Sequence, residues 1–224
     1  MADELPVIAV LGGTGHEGYG LALRWARAGY RVVIGSRDAA RAEDAAAKIN
    51  DAIAPPVPVA GKANKEAAGE CDIAVLTVPA GAQRAAADEV REQLSGKVLI
   101  DVTVPLVPPK VLRVQLPEGG SAVAALQEYL GEDIQVVSAF QNIAAGHLAD
   151  PEHEIECDVL VCGNKKAARE EAVRLAEAAG MRAWHAGPID NSAAAEAMTS
   201  LLLFINRNYG IDGSGFRITG KESE

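Results

Sequence analysis

The chain has little of several things, and each shortage removes a class of function. Aromatic residues make up 4% of its 224 residues, and only four histidines are present. Lysine and arginine together number 21 against 31 aspartates and glutamates, a formal net charge of −10. A surface of that sign repels phosphate backbones and anionic headgroups, so no nucleic-acid partner and no membrane-surface role is expected. The three cysteines, Cys71, Cys157 and Cys162, form no CxxC pair, which argues against both a disulfide framework and a zinc site. Each borders an apolar run and reads as a buried, reduced thiol of a cytoplasmic protein. The start "MADELPVIAV" lacks the basic-then-apolar order of a signal peptide, and the longest apolar run, "MTSLLLFI", is too short to span a bilayer. Also missing are GxSxG, HExxH and a Tyr-xxx-Lys pair after the middle strands, while His16, His147, His153 and His185 are scattered. No metal ligand and no catalytic side chain is assigned. That gap favours chemistry that needs alignment of two reactants more than proton transfer.

What is present is a repeating alternation. Apolar, β-branched runs predict strands at Pro6–Leu11, Tyr30–Gly35, Ile73–Val78, Val98–Val104, Ile134–Ala139 and Cys157–Cys162, with a weaker one at Arg182–His185. Several are apolar throughout, as in a parallel sheet covered on both faces. Alanine-rich amphipathic segments predict helices at Gly15–Ala28, Ala39–Ala52, Ala82–Leu94, Ser121–Leu130 and Lys165–Ala179. No element is assigned between Ala52 and Ile73, and the proline-rich "VPLVPPKVLRVQLPEGGSA" reads as a loop over the sheet edge. This alternation predicts an α/β fold, a Rossmann-type doubly wound and mostly parallel sheet, over residues 1–188. Residues 189–224, with a helix at Ser192–Arg207, are expected to form a small C-terminal lobe that contributes to the pocket and to a subunit contact.

The stretch "VIAVLGGTGHEGYGLALRWARAG" carries the chemistry. Gly13, Gly15 and Gly18 fit GxGxxG directly after one strand and at the start of a helix, the context the motif requires. Thr14, His16 and Glu17 complete a loop whose backbone amides suit a pyrophosphate, with the positive end of the helix behind it. A carboxylate at the tip of the second strand would bind the ribose diol of NAD. This chain instead has "GSRDAAR", with Ser36 and Arg37 at the tip and Arg41 one turn on. A hydroxyl and two guanidiniums suit a 2′-phosphate, which favours NADP(H) over NAD(H). A solvated arginine pair at a helix start is the alternative, and Asp38 reads as the helix cap.

Two later strands end in polar patches. "LTVPAGAQ" places Thr77, Val78 and Pro79 at the carboxyl edge of the sheet, where dinucleotides lie in open α/β folds. "VVSAFQNIAAGHL" places Gln141, Asn142, Ile143 and Ala145 after another strand. The two amides read either as donors to a ring system or as loop caps.

"AVLGGTGHEGYGLALRWARAGYRVVIGSRD", "CDIAVLTVP", "VVSAFQNIAA", "VLVCGN" and "AGPIDNS", in this order and spacing, resemble the NADPH-dependent reductases of the deazaflavin coenzyme F420 over nearly the whole chain. The resemblance implies direct hydride transfer between the nicotinamide and the deazaflavin, with NADP(H) as cofactor and F420 as co-substrate. It also implies that Thr14, Ser36, Arg37 and Arg41 surround the 2′-phosphate, and that the amides from Gly13 to Glu17 take the pyrophosphate. Thr77–Pro79 and Ala145 would border the nicotinamide, and Gln141–Ile143 with the loop from Val104 to Leu106 would face the deazaflavin. The family is usually a homodimer. It often has histidine where Gln141 stands; glutamine keeps a donor and an acceptor but has no titratable ring. Two other readings stay open at this point: a reductase of another small substrate on the same scaffold, and a non-catalytic NADP(H)-responsive binding protein.

Overall fold

The structure, a computed structural model, describes residues 5–220. Its strands are β1 (Ile8–Leu11), β2 (Val32–Ser36), β3 (Ala60–Ala63), β4 (Ile73–Leu76), β5 (Val98–Asp101), β6 (Gln135–Ser138), β7 (Val159–Gly163) and β8 (Ala183–Gly187). They form one eight-stranded sheet in the order β3-β2-β1-β4-β5-β6-β7-β8. The first six run parallel; β7 meets β6 antiparallel, and β8 is parallel to β7. After β3 the chain crosses back to the other side of β1. That reversal leaves a crevice at the carboxyl ends of β1 and β4, where open α/β sheets take their ligands.

The helices are α1 (His16–Arg27), α2 (Ala39–Ile53), α3 (Asn64–Glu70), α4 (Gln83–Glu89), α5 (Ala122–Leu130), α6 (Ala145–Leu148), α7 (Lys166–Ala178) and α8 (Ser192–Tyr209). β1, β2 and β4 are buried at every position, which is why their sequences are apolar on both faces. The alanine bias has a packing use at the sheet's edge. A side chain at Gly61 in β3 would come within 2.2 Å of the α2 backbone at Ala42 and Glu43. Only small residues permit that approach.

Several expectations need correction. The unassigned stretch before Ile73 contains β3 and α3; the weaker strand expected at Arg182–His185 is present as the edge strand β8, with a register irregularity opposite Val161 and Cys162. β3 escapes a search for apolar runs because its sequence is "AGKA", half-buried throughout. The expected Ala82–Leu94 helix is also shorter: α4 ends at Glu89, and a separate 3₁₀ turn covers Glu92–Leu94. The proline-rich segment from Val104 to Gly120 has no helix or strand, as expected, but the strand expected at Val98–Val104 ends at Asp101.

Two sets of buried polar contacts fix the parts that surround the crevice. Arg24 of α1 donates to five backbone carbonyls, those of His147, Leu148, Asp150, His153 and Ala179, at 2.7–3.2 Å. One guanidinium thereby clamps the chain after β6 against α1 and α7. α8 is held over the exits of β5 and β6 by Glu196, which accepts from Ser121 Oγ (2.6 Å), Ala122 N (2.9 Å) and Val123 N (3.2 Å) at the start of α5. Ser192 Oγ donates to Ser138 Oγ (2.8 Å) and Thr199 Oγ1 to the Gln141 carbonyl (2.7 Å). Among the described residues no helix is long and apolar enough to cross a membrane, and no group of three or more side chains is arranged to hold a metal. All three cysteines are buried free thiols.

Candidate active site

The crevice is a cleft of about 580 Å³ running from the tip of β2, past the start of α1, to the exit of β4. Its glycines have different jobs. Gly12 turns the chain at φ +77°, and its N–H and that of Gly13 both donate to the Gly35 carbonyl. A side chain at Gly13 would meet the Val10 carbonyl at 2.7 Å. One at Gly18 would meet Thr77 Oγ1 at 2.4 Å and Gly13 Cα at 2.7 Å, so α1 can lie on β1 and β4 only because Gly18 has none. Gly15 is different. Its backbone, φ −81° and ψ 165°, suits any residue, and an added Cβ would approach only the Gly12 carbonyl, at 3.7 Å. Nothing inside the protein requires glycine there. The Cβ would instead stand in the cleft, just where α1 begins without a side-chain cap and its first amides lack intrahelical acceptors. An anion seated on those amides needs that space.

At the other end of the cleft Ser36, buried at the tip of β2, accepts from Asp38 N (3.2 Å). Asp38 caps α2 by accepting from Ala40 N (3.1 Å), the role its position suggests. Arg37 and Arg41 are exposed along the same wall, and among the described residues neither has a hydrogen-bonded or ionic partner. Two unpaired guanidiniums beside a hydroxyl have the chemistry that suits a dianion. Asn64 and Glu89 line the cleft between these arginines and β4. Asn64 Nδ2 donates to Glu89 Oε2 (3.1 Å), whereas Asn64 Oδ1 is buried without a partner. Both residues come from parts of the chain, α3 and the end of α4, whose role the sequence conceals.

Beyond β4 the site becomes acidic. Asp101, the last residue of β5 and in register with Leu76 of β4, has no exposed surface. Its carboxylate accepts from Gln83 Nε2 (2.5 Å) and from Thr103 N (2.9 Å), yet burial still pushes its pKa up to about 6. Glu17, in the first turn of α1, is half-buried. Burial, with Asp101 close by, pushes it up to about 8. Glu196 is also raised by burial. Gln141 sits against this group, its Nε2 donating to the Asp101 carbonyl (2.7 Å) and its Oε1 buried with no partner. The chain reaches that position through Phe140 at φ +72°, a left-handed conformation costly for a bulky residue and held here by burial against Trp25.

The matches with known proteins agree with this geometry. The family model "NADP oxidoreductase coenzyme F420-dependent" matches residues 7–105. The F420-dependent NADP reductase of Methanocaldococcus jannaschii is 38% identical over 222 residues, 96% of this chain and 99% of the relative. The enzyme of the same name from Methanothermobacter marburgensis is 42% identical over 218 residues, 95% of this chain and 97% of the relative. The chain belongs to the family of coenzyme F420-dependent NADP oxidoreductases. A crystal structure from Arthrobacter sp. FB24, 24% identical, has the same fold with a TM-score of 0.75 over 96% of this chain and all of the other.

Within this family member, most of the candidate residues meet in one place. Thr14, Gly15, Ser36, Arg37, Arg41, Thr77, Val78 and Pro79 all line the cleft. Gly13 is buried beneath them, and His16 and Glu17 open α1 beside them. Gln141, Asn142 and Ile143 lie past β6 and are all buried. Asn142 Nδ2 donates to the Asp158 carbonyl (2.9 Å) and to Cys157 Sγ (3.0 Å), so that amide supports the loop. Ala145 opens the short helix α6, which has no side-chain cap. Asn64 and Glu89 also line the cleft, without any local motif announcing them, and buried Gln83 and Asp101 lie beyond β4.

Proposed function

We propose that the protein transfers hydride between NADP(H) and coenzyme F420. The observation that carries the nucleotide half is the pairing of an open Gly15 cradle with unpartnered Arg37 and Arg41 in one cleft. The amides that open α1 hold the pyrophosphate, and Ser36, Arg37 and Arg41 hold the 2′-phosphate. Asn64 lies alongside the adenosine between them, with Oδ1 as a free acceptor. Thr77–Pro79 and the chain at Ala145 border the nicotinamide, and Gln141 presents its unpartnered Oε1 toward the second ring. The two bound cofactors supply the redox chemistry, exchanging the hydride directly; the protein aligns them and keeps water out. The relatives named F420-dependent NADP reductase support the choice of F420.

The subunit contact belongs to the same reading. Leu201 and Phe204 on α8, with Tyr209 and Ile211 after them, are exposed large apolar residues in a single stretch. A second copy of the chain covering this stretch would make residues 189–220 the dimerising lobe; the end of the expected lobe, 221–224, lies outside the described residues. The free, buried thiols fit a cytoplasmic setting.

Mixing the protein with NADPH and oxidised F420 tests the function. Loss of the deazaflavin absorbance at a catalytic rate is expected. No loss with both cofactors saturating would overturn the proposal.

A further inference from the structure

The wall of the cleft that α4 supplies is apolar until its last residue. Ala82, Ala85, Ala86 and Glu89 all line the cleft, and their spacing of three and four puts them on one side of the helix. Three methyl groups are thus followed by one carboxylate. Glu89 does nothing for α4 itself, because a negative charge at a helix C-terminus opposes the helix dipole. It is half-buried, and its Oε2 accepts from Asn64 Nδ2 at 3.1 Å. Its Oε1 has no partner among the described residues. Asn64 is 3% exposed and fixed from two sides. Its Oδ1 lies against β2, where a Cβ at Gly35 would meet it at 2.9 Å, and only its Nδ2 can donate to a carboxylate. That Oδ1, buried beside the cleft without a partner, is an independent sign that a polar ligand comes to this corner.

We infer that Glu89, aimed by Asn64, selects the base of the dinucleotide: its free Oε1 accepts a hydrogen bond from the amino group of a 6-aminopurine and rejects a 6-oxopurine. This rests on the nucleotide reading above and extends it from the phosphates to the base. The physical reason lies in the donor and acceptor inventory. A carboxylate only accepts, so it pairs with an exocyclic amine, whereas an oxo group at the same position sets lone pairs against lone pairs. The methyls of Ala82, Ala85 and Ala86 give the ring contact area without any hydrogen-bonding preference. Arg37 and Arg41 on the β2 side only donate, and the 2′-phosphate takes them. Among the side chains of the α4 wall, Glu89 alone can tell one purine from another. A 6-oxopurine still has a ring N–H, but offering it to Oε1 requires the base to slide along the alanines. A ribose tethered by its 2′-phosphate opposes that slide.

Binding separates the possibilities without any turnover. Dissociation constants are measured for NADP⁺ and for nicotinamide hypoxanthine dinucleotide phosphate, which carries oxo where adenine carries amino and is otherwise identical. The unaltered protein should prefer NADP⁺ by roughly tenfold or more, the worth of a hydrogen bond to a charged group. Glu89→Gln gives the second readout. In that variant the Asn64 donor holds the amide oxygen and turns the amide nitrogen toward the base, so the donor now suits the oxo group. The preference for NADP⁺ should disappear or invert, and the hypoxanthine nucleotide should bind the variant more tightly than it binds the unaltered protein. A gain of that kind cannot come from a damaged fold. Equal binding of both nucleotides by the unaltered protein overturns this inference alone. So does a Glu89→Gln variant that keeps the original preference, or one that weakens both nucleotides by the same factor. Failure of both nucleotides to bind the unaltered protein overturns the functional reading beneath it.

Discussion

The two ends of the cleft are built on different plans. At the phosphate end, backbone amides and unpaired arginines face open space, and the residues lie within the single stretch from Gly12 to Arg41. At the β5–β6 end, the groups are side chains buried against each other, drawn from Glu17, Gln83, Asp101, Gln141 and Glu196. The first is a backbone site, whose requirements are conformational and therefore local. The second is a side-chain site, assembled by strand order across most of the chain. An anion cradle is thus written as a motif, while an electrostatic environment is not.

The largest expected effects test this division within one motif. Gly18→Ala forces a methyl into Thr77 and Gly13, at 2.4 and 2.7 Å, and should lower stability by roughly 2 kcal/mol, readable in thermal unfolding. Gly15→Val should leave the melting temperature nearly unchanged and abolish dinucleotide binding, because its side chain meets the ligand's place and not the protein. Equal destabilisation by both variants would show that Gly15 is needed for folding.

Arg37→Glu comes next. It removes a guanidinium from the dianion site and puts a carboxylate there, so NADPH affinity should fall roughly 100-fold while NADH affinity changes little. Equal losses for both would mean that Arg37 does not touch the 2′-phosphate.

The acidic end is expected to show itself in stability. Glu17 is raised from 4.5 to about 8 and Asp101 from 3.8 to about 6. Between those limits the folded chain keeps protons that the unfolded chain has lost. Their contribution to stability is therefore complete below about pH 4 and is lost as pH rises toward 8. Melting temperature should decline over that window, and Glu17→Gln should flatten the upper part of the decline. An unchanged slope in the variant would remove Glu17 from the account.

The same contrast explains what could be read beforehand. The doubly wound order was legible because β1, β2 and β4 are apolar on both faces. The preference for NADP was legible because Ser36 and Arg37 occupy one local position. β3 was not, because an "AGKA" strand pressed on α2 is selected for smallness, and smallness leaves no periodic signal. The acidic pair was hidden for another reason. Glu17 looks like an ordinary first-turn acid until β5 is known to lie beside it.

Asn64 provides the smallest effect and the finest division. It follows β3 directly, and its Oδ1 is buried, unpartnered and next to the cleft. In the proposed binding mode an adenosine would supply the missing donor, and this part of the dinucleotide is common to NADPH and NADH. Asn64→Ala should therefore weaken both by the same factor, roughly fivefold, the worth of one neutral hydrogen bond. Arg37 separates the two nucleotides, whereas Asn64 treats them alike. A selective loss of NADPH in Asn64→Ala would move Asn64 into the 2′-phosphate site. The backbone cradle would then depend on a residue that no part of the glycine motif announces.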